Sequence, residues 1–590
     1  GTEYFENYTT DYRGNVVITQ SAQAAVQGLG FSEKNEYDYA GRVIKTYNAD
    51  NQSTSNTYNA LGQLIQSTDY SGTPTIYSYD ALGRMLTQTL RIDASNNAVT
   101  KYYYDAAGNI IRQLTPSQSL GSGATWNRID YTYDSRNRLE TASLYDGNSI
   151  ATASRYTYSG TGNPLTMTTG LSSPTASGGS TTTYTYDHFG NVLSETDATG
   201  AAETYSYSIT GCLISKTNRN GITERYSYDA LGRLIGYNTG VEIFANIYSK
   251  TGALIGELSG KILSTTIPVL QRTEYSYDSW GRLAQVVYSD FGAEGTTNVT
   301  AATPQISYTT QYTHDLAGNR TNMTVQMGDV QVQNVTYTYD TLNRLSTVTE
   351  DGALKATYTY DTNGNRASLT YANGVSETYS YNLANWVTGL TNKLGSTTLS
   401  SYSYTYFASG NQKTKTDHTG KTTTYTYDGL GRLTAESSGD LSVSYAYDAN
   451  SNRTQMSVSG PESSIIAYSY DAANRLVSET TTRDDAIVKS ISYSYDDNGN
   501  LLSKAATGAD NIVNTDTFQY NTIDQLISHT SDSVTTSYTY NAQGIRTSKT
   551  TGALTSYYVL DEENVVGEVQ NGAVSASYVR GVNPILMDIG

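Results

Sequence analysis

The 590-residue chain holds one cysteine, four histidines, three tryptophans and seven phenylalanines. With Cys212 alone, neither an internal disulfide nor a cysteine-based zinc cage can form, and the redox compartment is not readable. His188, His314, His418 and His529 are far apart in sequence and lack metal-ligand spacing, so no metal or cofactor site is expected. Basic residues number 37 against 55 acidic ones, a net charge of −18, with no Lys/Arg cluster. Such a field repels a phosphate backbone, and nucleic acid is not an expected partner. No apolar run approaches the roughly 18 residues that a membrane-crossing helix needs. The opening GTEYFENYTT has neither basic nor apolar signal character, so any export signal is expected outside this chain. Walker loops, Gly-x-Ser-x-Gly elbows and dinucleotide fingerprints are also missing. The expectation is that the chain is not an enzyme and has no catalytic residue.

What the chain has instead is tyrosine, 55 of them, with 51 glycines and a hydrophobic fraction of 37%. A core of packed aliphatics is not written here, so much of the buried surface must be amphipathic ring. The tyrosines fall in a phrase, Tyr-x-Tyr-Asp-x-x-Gly-(Arg/Asn)-Leu. It reads YSYDALGRM at 77–85, YYYDAAGNI at 102–110, YSYDALGRL at 226–234, YSYDSWGRL at 275–283 and YTYDGLGRL at 425–433. Including weaker versions, 24 copies run to YVLDEENVV at Tyr558, most often 20 or 21 residues apart. The widest interval runs from Asp278 to Asp315.

Each copy has a mechanical reading. Tyr-Ser/Thr-Tyr is a period-2 strand with two rings on one face and a hydroxyl on the other. Asp opens a type I turn, and three residues later the chain needs positive φ to re-enter the sheet. That position is Gly in 17 copies, Asn in five (Asn137, Asn343, Asn385, Asn474, Asn564), then Asp524 and Ser451. Only Ser451 lies outside the residue types that tolerate left-handed backbone. The expected structural turn residues are thus pairs such as Asp80 and Gly83, Asp229 and Gly232, Asp278 and Gly281, and Asp428 and Gly431.

One repeat is then one β-hairpin. A lone hairpin is marginal in water, so neighbours must pair laterally. About 48 strands at ~4.8 Å make a sheet on the order of 230 Å long, which cannot stay flat. Propeller blades want longer units and a narrow solenoid wants uniform rungs. A wide spiral with the rings turned inward accommodates variable hairpins. In it Tyr77, Tyr79, Tyr226, Tyr228, Tyr275, Tyr277, Tyr425 and Tyr427 are expected to line the wall.

The phrase resembles the YD-repeat, or Rhs-repeat, family: bacterial Rhs proteins, wall-associated proteins, the B and C components of Tc toxins, and the YD domain of teneurins. The resemblance spans roughly residues 1–570. It implies an all-β fold of tandem hairpins spiralling into a hollow shell. In toxin members the shell sequesters a C-terminal toxic polypeptide; in teneurins a related shell is an adhesion scaffold. The resemblance divides the chain into a YD-repeat shell over residues 1–553 and, over 554–590, a last repeat and cap that ends in SYVRGVNPI. The Asp-Pro-x-Gly core that releases cargo in toxin members is not found, as no Asp-Pro pair occurs, so self-cleavage is not carried over. Expected partners are an enclosed C-terminal polypeptide or a surface protein or glycan, with the chain itself a monomer, secreted or at the cell surface.

Three features were weighed as sites. Asp361-Thr-Asn-Gly-Asn365 and Asp496-Asp-Asn-Gly-Asn500 alternate oxygens as a calcium loop does, yet lack its closing Glu and are explained as turns. Arg84, Arg233, Arg282, Arg344 and Arg432 are expected to lay their stems over a neighbouring Tyr and reach the adjacent hairpin's Asp. His188 and His314 are read as surface residues of motif turns. The phrase breaks at 18–36, 113–128, 170–182, 255–272 and 286–308, with a short helix expected within 19–29, and the last 30 or so residues are the candidate for an inward-turning plug.

Overall fold

A computed structural model describes residues 6–117, 126–262, 267–292 and 295–589. Parts of the breaks at 113–128, 255–272 and 286–308 lie outside the described residues. The fold is all-β: 50 strands form one antiparallel sheet, from Asn7–Thr10 to Pro584–Ile589. Each strand pairs with the next in sequence. Among the described residues the one helix is Ala22–Val26, capped by the Ser21 side chain, which accepts from the Ala24 amide.

The turn chemistry explains why strands end where they do. Between the strands Pro74–Tyr79 and Met85–Arg91, the Gly83 amide donates to the Asp80 carbonyl at 3.0 Å and the Asp80 amide to the Arg84 carbonyl at 2.9 Å. One carboxylate oxygen of Asp80 accepts from the amides of Leu82 and Arg84, both at 2.9 Å. The turn thereby satisfies its own backbone. All seventeen motif glycines have φ between 78° and 101°, and Asn137, Asn343, Asn385, Asn474, Asp524 and Ser451 lie at 60–69°. Asn564 departs from the expected pattern: it opens the strand Asn564–Gln570, and the positive φ falls on Glu562 at 53°. There a two-residue turn replaces the four-residue one, so the last copy has no third position to fill.

Hairpin ends form two edges of the ribbon. The motif turns make one edge; the turns that return to the next repeat, such as Asp69–Gly72 and Asn218–Gly221, make the other. The ribbon coils, and hydrogen bonds between residues 276 to 294 apart join motif turns of a second coil to return turns of the first. The first and last strands are not paired with one another, so the sheet wraps without closing into a barrel.

Aliphatic packing is local. The strands Leu554–Asp561, Asn564–Gln570, Ala573–Arg580 and Pro584–Ile589 lie over Ile306–His314, Val330–Tyr339 and Ala353–Tyr360. Val335, Val348, Val559, Val566 and Val579 are buried there with Tyr312 and Tyr358. The terminal segment thus covers part of the tyrosine face, and the sheet runs through residue 553 unbroken, Thr551 pairing with Leu554.

Candidate functional site

With no cluster of three or more metal-ligating side chains among the described residues, the features to build from are the ring-bearing face and the seam between coils. On the ring-bearing face, the second tyrosine of a motif reaches back across the sheet. Tyr79 donates its hydroxyl to the Leu64 carbonyl at 2.8 Å, Tyr277 to Leu254 at 2.7 Å and Tyr427 to Gln412 at 3.0 Å. Among the described residues at least seventeen tyrosines make this bond, each to the first strand residue after the preceding motif turn. Each of these hairpins is so tied to its predecessor by a contact outside the strand ladder.

First tyrosines behave differently. Tyr226 and Tyr275 donate to Glu224 and Glu257, and Tyr226 sits 5.7 Å from the Tyr237 ring. The first tyrosines Tyr77 and Tyr425 are half-buried on the same face, as is the second tyrosine Tyr228. Burial, with nearby carboxylates, pushes Tyr237 and Tyr445 up to about 12. These hydroxyls therefore stay protonated and remain donors.

The motif arginine closes the array. Arg84 lies over the Tyr104 ring, 4.6 Å from its centroid, and donates to the Asp105 carbonyl of the next hairpin at 2.9 Å. Its carboxylate partner, however, is Asp80 of its own hairpin, Nε to Oδ2 at 2.7 Å. Arg233, Arg282, Arg344 and Arg432 likewise pair with Asp229, Asp278, Asp340 and Asp428. This corrects the expectation that the guanidinium meets the adjacent hairpin's carboxylate: the four-residue turn brings Asp and Arg together locally, and the neighbour offers a backbone carbonyl instead, joined for Arg432 by the Ser451 hydroxyl. Backbone amides and these guanidinium groups hold the carboxyls of Asp80, Asp229 and Asp278 below their usual range. The Arg138 side chain brings Asp134 to about 2.

On the opposite face, hydroxyls pair across the two strands of a hairpin, as in Ser78 with Thr87 at 2.6 Å and Thr338 with Thr347 at 2.6 Å. His188 is exposed beside Phe189, ring centroids 3.7 Å apart. His314 is the last residue of a strand rather than part of a turn, because it occupies the second-tyrosine position.

The two oxygen-rich loops weighed as cation loops lie in the seam. Asn363 donates to Asp69 at 3.0 Å and accepts from the Ser71 amide at 2.9 Å. Asn220 donates to Asp496 at 2.8 Å and its amide to Asn498 at 3.1 Å. Further along, the Gly429 amide donates to Asp146 at 2.9 Å and Thr522 to Thr239 at 2.8 Å.

Neither the hydroxyl staple nor the seam was read from sequence. A signal for the staple exists: the second tyrosine persists at Tyr37, Tyr58, Tyr248 and Tyr520, where the first is replaced by Asn35, Asn56, Asn246 and Phe518.

Hairpins stapled ring to backbone, in a ribbon whose coils stack edge on edge, define a YD-type β-shell scaffold. A family model described as Teneurin YD-shell matches residues 88–252 and 287–456, and one described as RHS Repeat matches 58–91. The chain belongs to the YD-shell family. A Photorhabdus luminescens Tc holotoxin pore structure is similar in fold, with TM-score 0.53 and 15% identity, over 100% of this chain and 33% of that one. A crystal structure of TcdB2-TccC3 aligns over 99% of this chain and 43% of that one at 13% identity, with TM-score 0.33. The chain thus spans about a third to under half the length of these toxin chains. No curated protein matches it by sequence.

Proposed function

We propose that this chain is a non-catalytic hollow shell, secreted or at the cell surface, whose tyrosine face lines a space that encloses or presents polypeptide. One quantity carries the reading. The accessible surface is 30,574 Å², whereas a compact 64.0 kDa globule exposes about 20,000 Å². A sheet with two wetted faces has that excess; a packed core does not. The half-burial of the wall tyrosines other than the exposed Tyr277 agrees, since each ring is shielded by neighbouring rings and stems rather than by a second layer. Similarity to the Tc holotoxin shell supports a toxin polypeptide as the enclosed partner.

A second reading, an extracellular interaction scaffold for protein or glycan, draws on the Teneurin YD-shell match. Small-angle scattering tests the shared premise. The radius of gyration should exceed the ~25 Å of a compact domain of this length, with a density minimum at the centre. A compact radius and a solid centre overturn the proposal. Protease resistance of a polypeptide co-expressed with the chain then separates enclosure from surface presentation.

A further inference from the structure

The seam supplies an internal comparison for the two edges that no coil covers. At the third position of the motif turn, Leu61, Leu82 and Leu231 on the first coil are 78%, 77% and 80% exposed. Leu342 and Leu430 hold the same position on the second coil and are partly buried, and their neighbours Thr341 and Gly429 donate to Asp50 and Asp146 in the first coil's return turns. The return edge shows the reverse. Ile92 and Leu171, on the first coil's covered return edge, are 7% and 1% exposed, while Ile487 and Ile512 on the second coil's uncovered return edge are 64% and 59% exposed. At these positions the apolar side chain is covered where coils meet and bare where they do not, although seam turns also leave Val241 and Leu383 53% and 39% exposed.

We propose that the two bare edges dock on one another between copies of this chain, the motif edge of one against the return edge of the next. Each edge carries an apolar row together with Asx- and glycine-bearing turns, which is what the seam joins within one molecule, so a second copy continues an interface the fold already makes. The contact is head-to-tail, and nothing in its symmetry stops it at two. It replaces the single-copy state expected from the sequence. The net charge of −18 opposes association, so it strengthens as salt screens the repulsion.

Sedimentation velocity of the full chain across a wide concentration range tests this. Species of two and more copies should appear, and more readily at higher salt. Leu82→Asp combined with Leu231→Asp blocks the motif edge, and Ile487→Asp with Ile512→Asp blocks the return edge. Each variant alone should associate at least ~10-fold more weakly. Far-UV circular dichroism should be unchanged, because these side chains touch water in the single molecule. A mixture of the two variants keeps one intact edge of each kind and should form pairs and nothing larger. A wild-type chain that stays single at every concentration, association indifferent to both variants, or a mixture that forms no pairs overturns the proposal.

Discussion

The Tyr79 hydroxyl donates to the Leu64 carbonyl at 2.8 Å, fifteen residues back and one hairpin away. The register between the two strands begins at Gln66 with Ile76, and beyond it the Leu64 carbonyl accepts the ring hydroxyl of the neighbouring repeat. Tyr79→Phe keeps the ring and removes the donor, so it isolates the staple. The expected loss is about 0.5–1.5 kcal/mol by denaturant unfolding. Tyr79→Phe combined with Tyr427→Phe, far apart in the array, should add. No change in either variant would mean that the rings alone couple the hairpins.

Gly232 has φ of 78° and nothing within 4 Å of where a Cβ would stand. Any cost of substitution there is backbone strain, without a clash. Gly232→Val should destabilise by roughly 1–2 kcal/mol or more. Gly232→Asn should cost clearly less, as Asn343 and Asn474 hold φ of 60° and 63° in the same turn. His188→Ala, which removes only an exposed ring contact, should change stability little. Equal melting of the Val and Asn variants would sink the strain argument.

The hairpin, the turn geometry and the all-β class were legible because they are local: each is written in nine consecutive residues and repeated. Ser451 shows how strong that writing is, adopting φ of 69° against its own preference because Asp448 and Asn452 fix the turn around it. The partner of Arg84 was misread because the spacing from Asp80 to Arg84 fits both an own-turn and a next-hairpin contact, and only the turn's tightness decides. The seam was beyond reach for a different reason. Asn220 and Asp496 meet across 276 residues, a separation set by the sum of many small strand twists.

Stability against pH should fail at both ends for different groups. Asp134 is at about 2 through Arg138, and Asp130 also at about 2, where burial acts to raise it and the hydrogen bonds of Arg128 and Arg112 outweigh that. A carboxyl lowered on folding gives stability that is full above its unfolded value near ~3.9 and is lost as pH falls toward 2. Burial pushes Tyr237, Tyr371 and Tyr445 to about 12, helped in the last two by Glu377 and Glu436. Raised phenols give the mirror case: stability is full below ~10 and is lost as pH rises through about 12. Absorbance at 295 nm should show the folded chain ionising later than the same chain in denaturant, with loss of sheet following. Superimposed titrations would remove the tyrosine face as a source of stability.

The seam is held by small groups of hydrogen bonds between turns with a few buried apolar side chains, whereas each coil is held by continuous ladders. The coils should therefore separate before either unfolds. Asn363 is the best place to weaken it, since it donates to Asp69 and Ser71 and accepts from the Ser71 amide. In Asn363→Ala the Ser71 amide keeps only Asp69, and the Asp69 carboxylate and Ser71 hydroxyl that order this turn lose Asn363 as a partner, while the strands on either side keep theirs. Losing about 1.4 kcal/mol of local protection corresponds to roughly 10-fold faster amide exchange. Hydrogen exchange read by mass spectrometry should show that acceleration in 69–73, with the flanking strands Leu64–Thr68 and Pro74–Tyr79 unaffected. Acceleration spread evenly along both strands would mean that the coil, not the seam, is the weaker element, and that the ribbon opens by fraying rather than by parting at its edges.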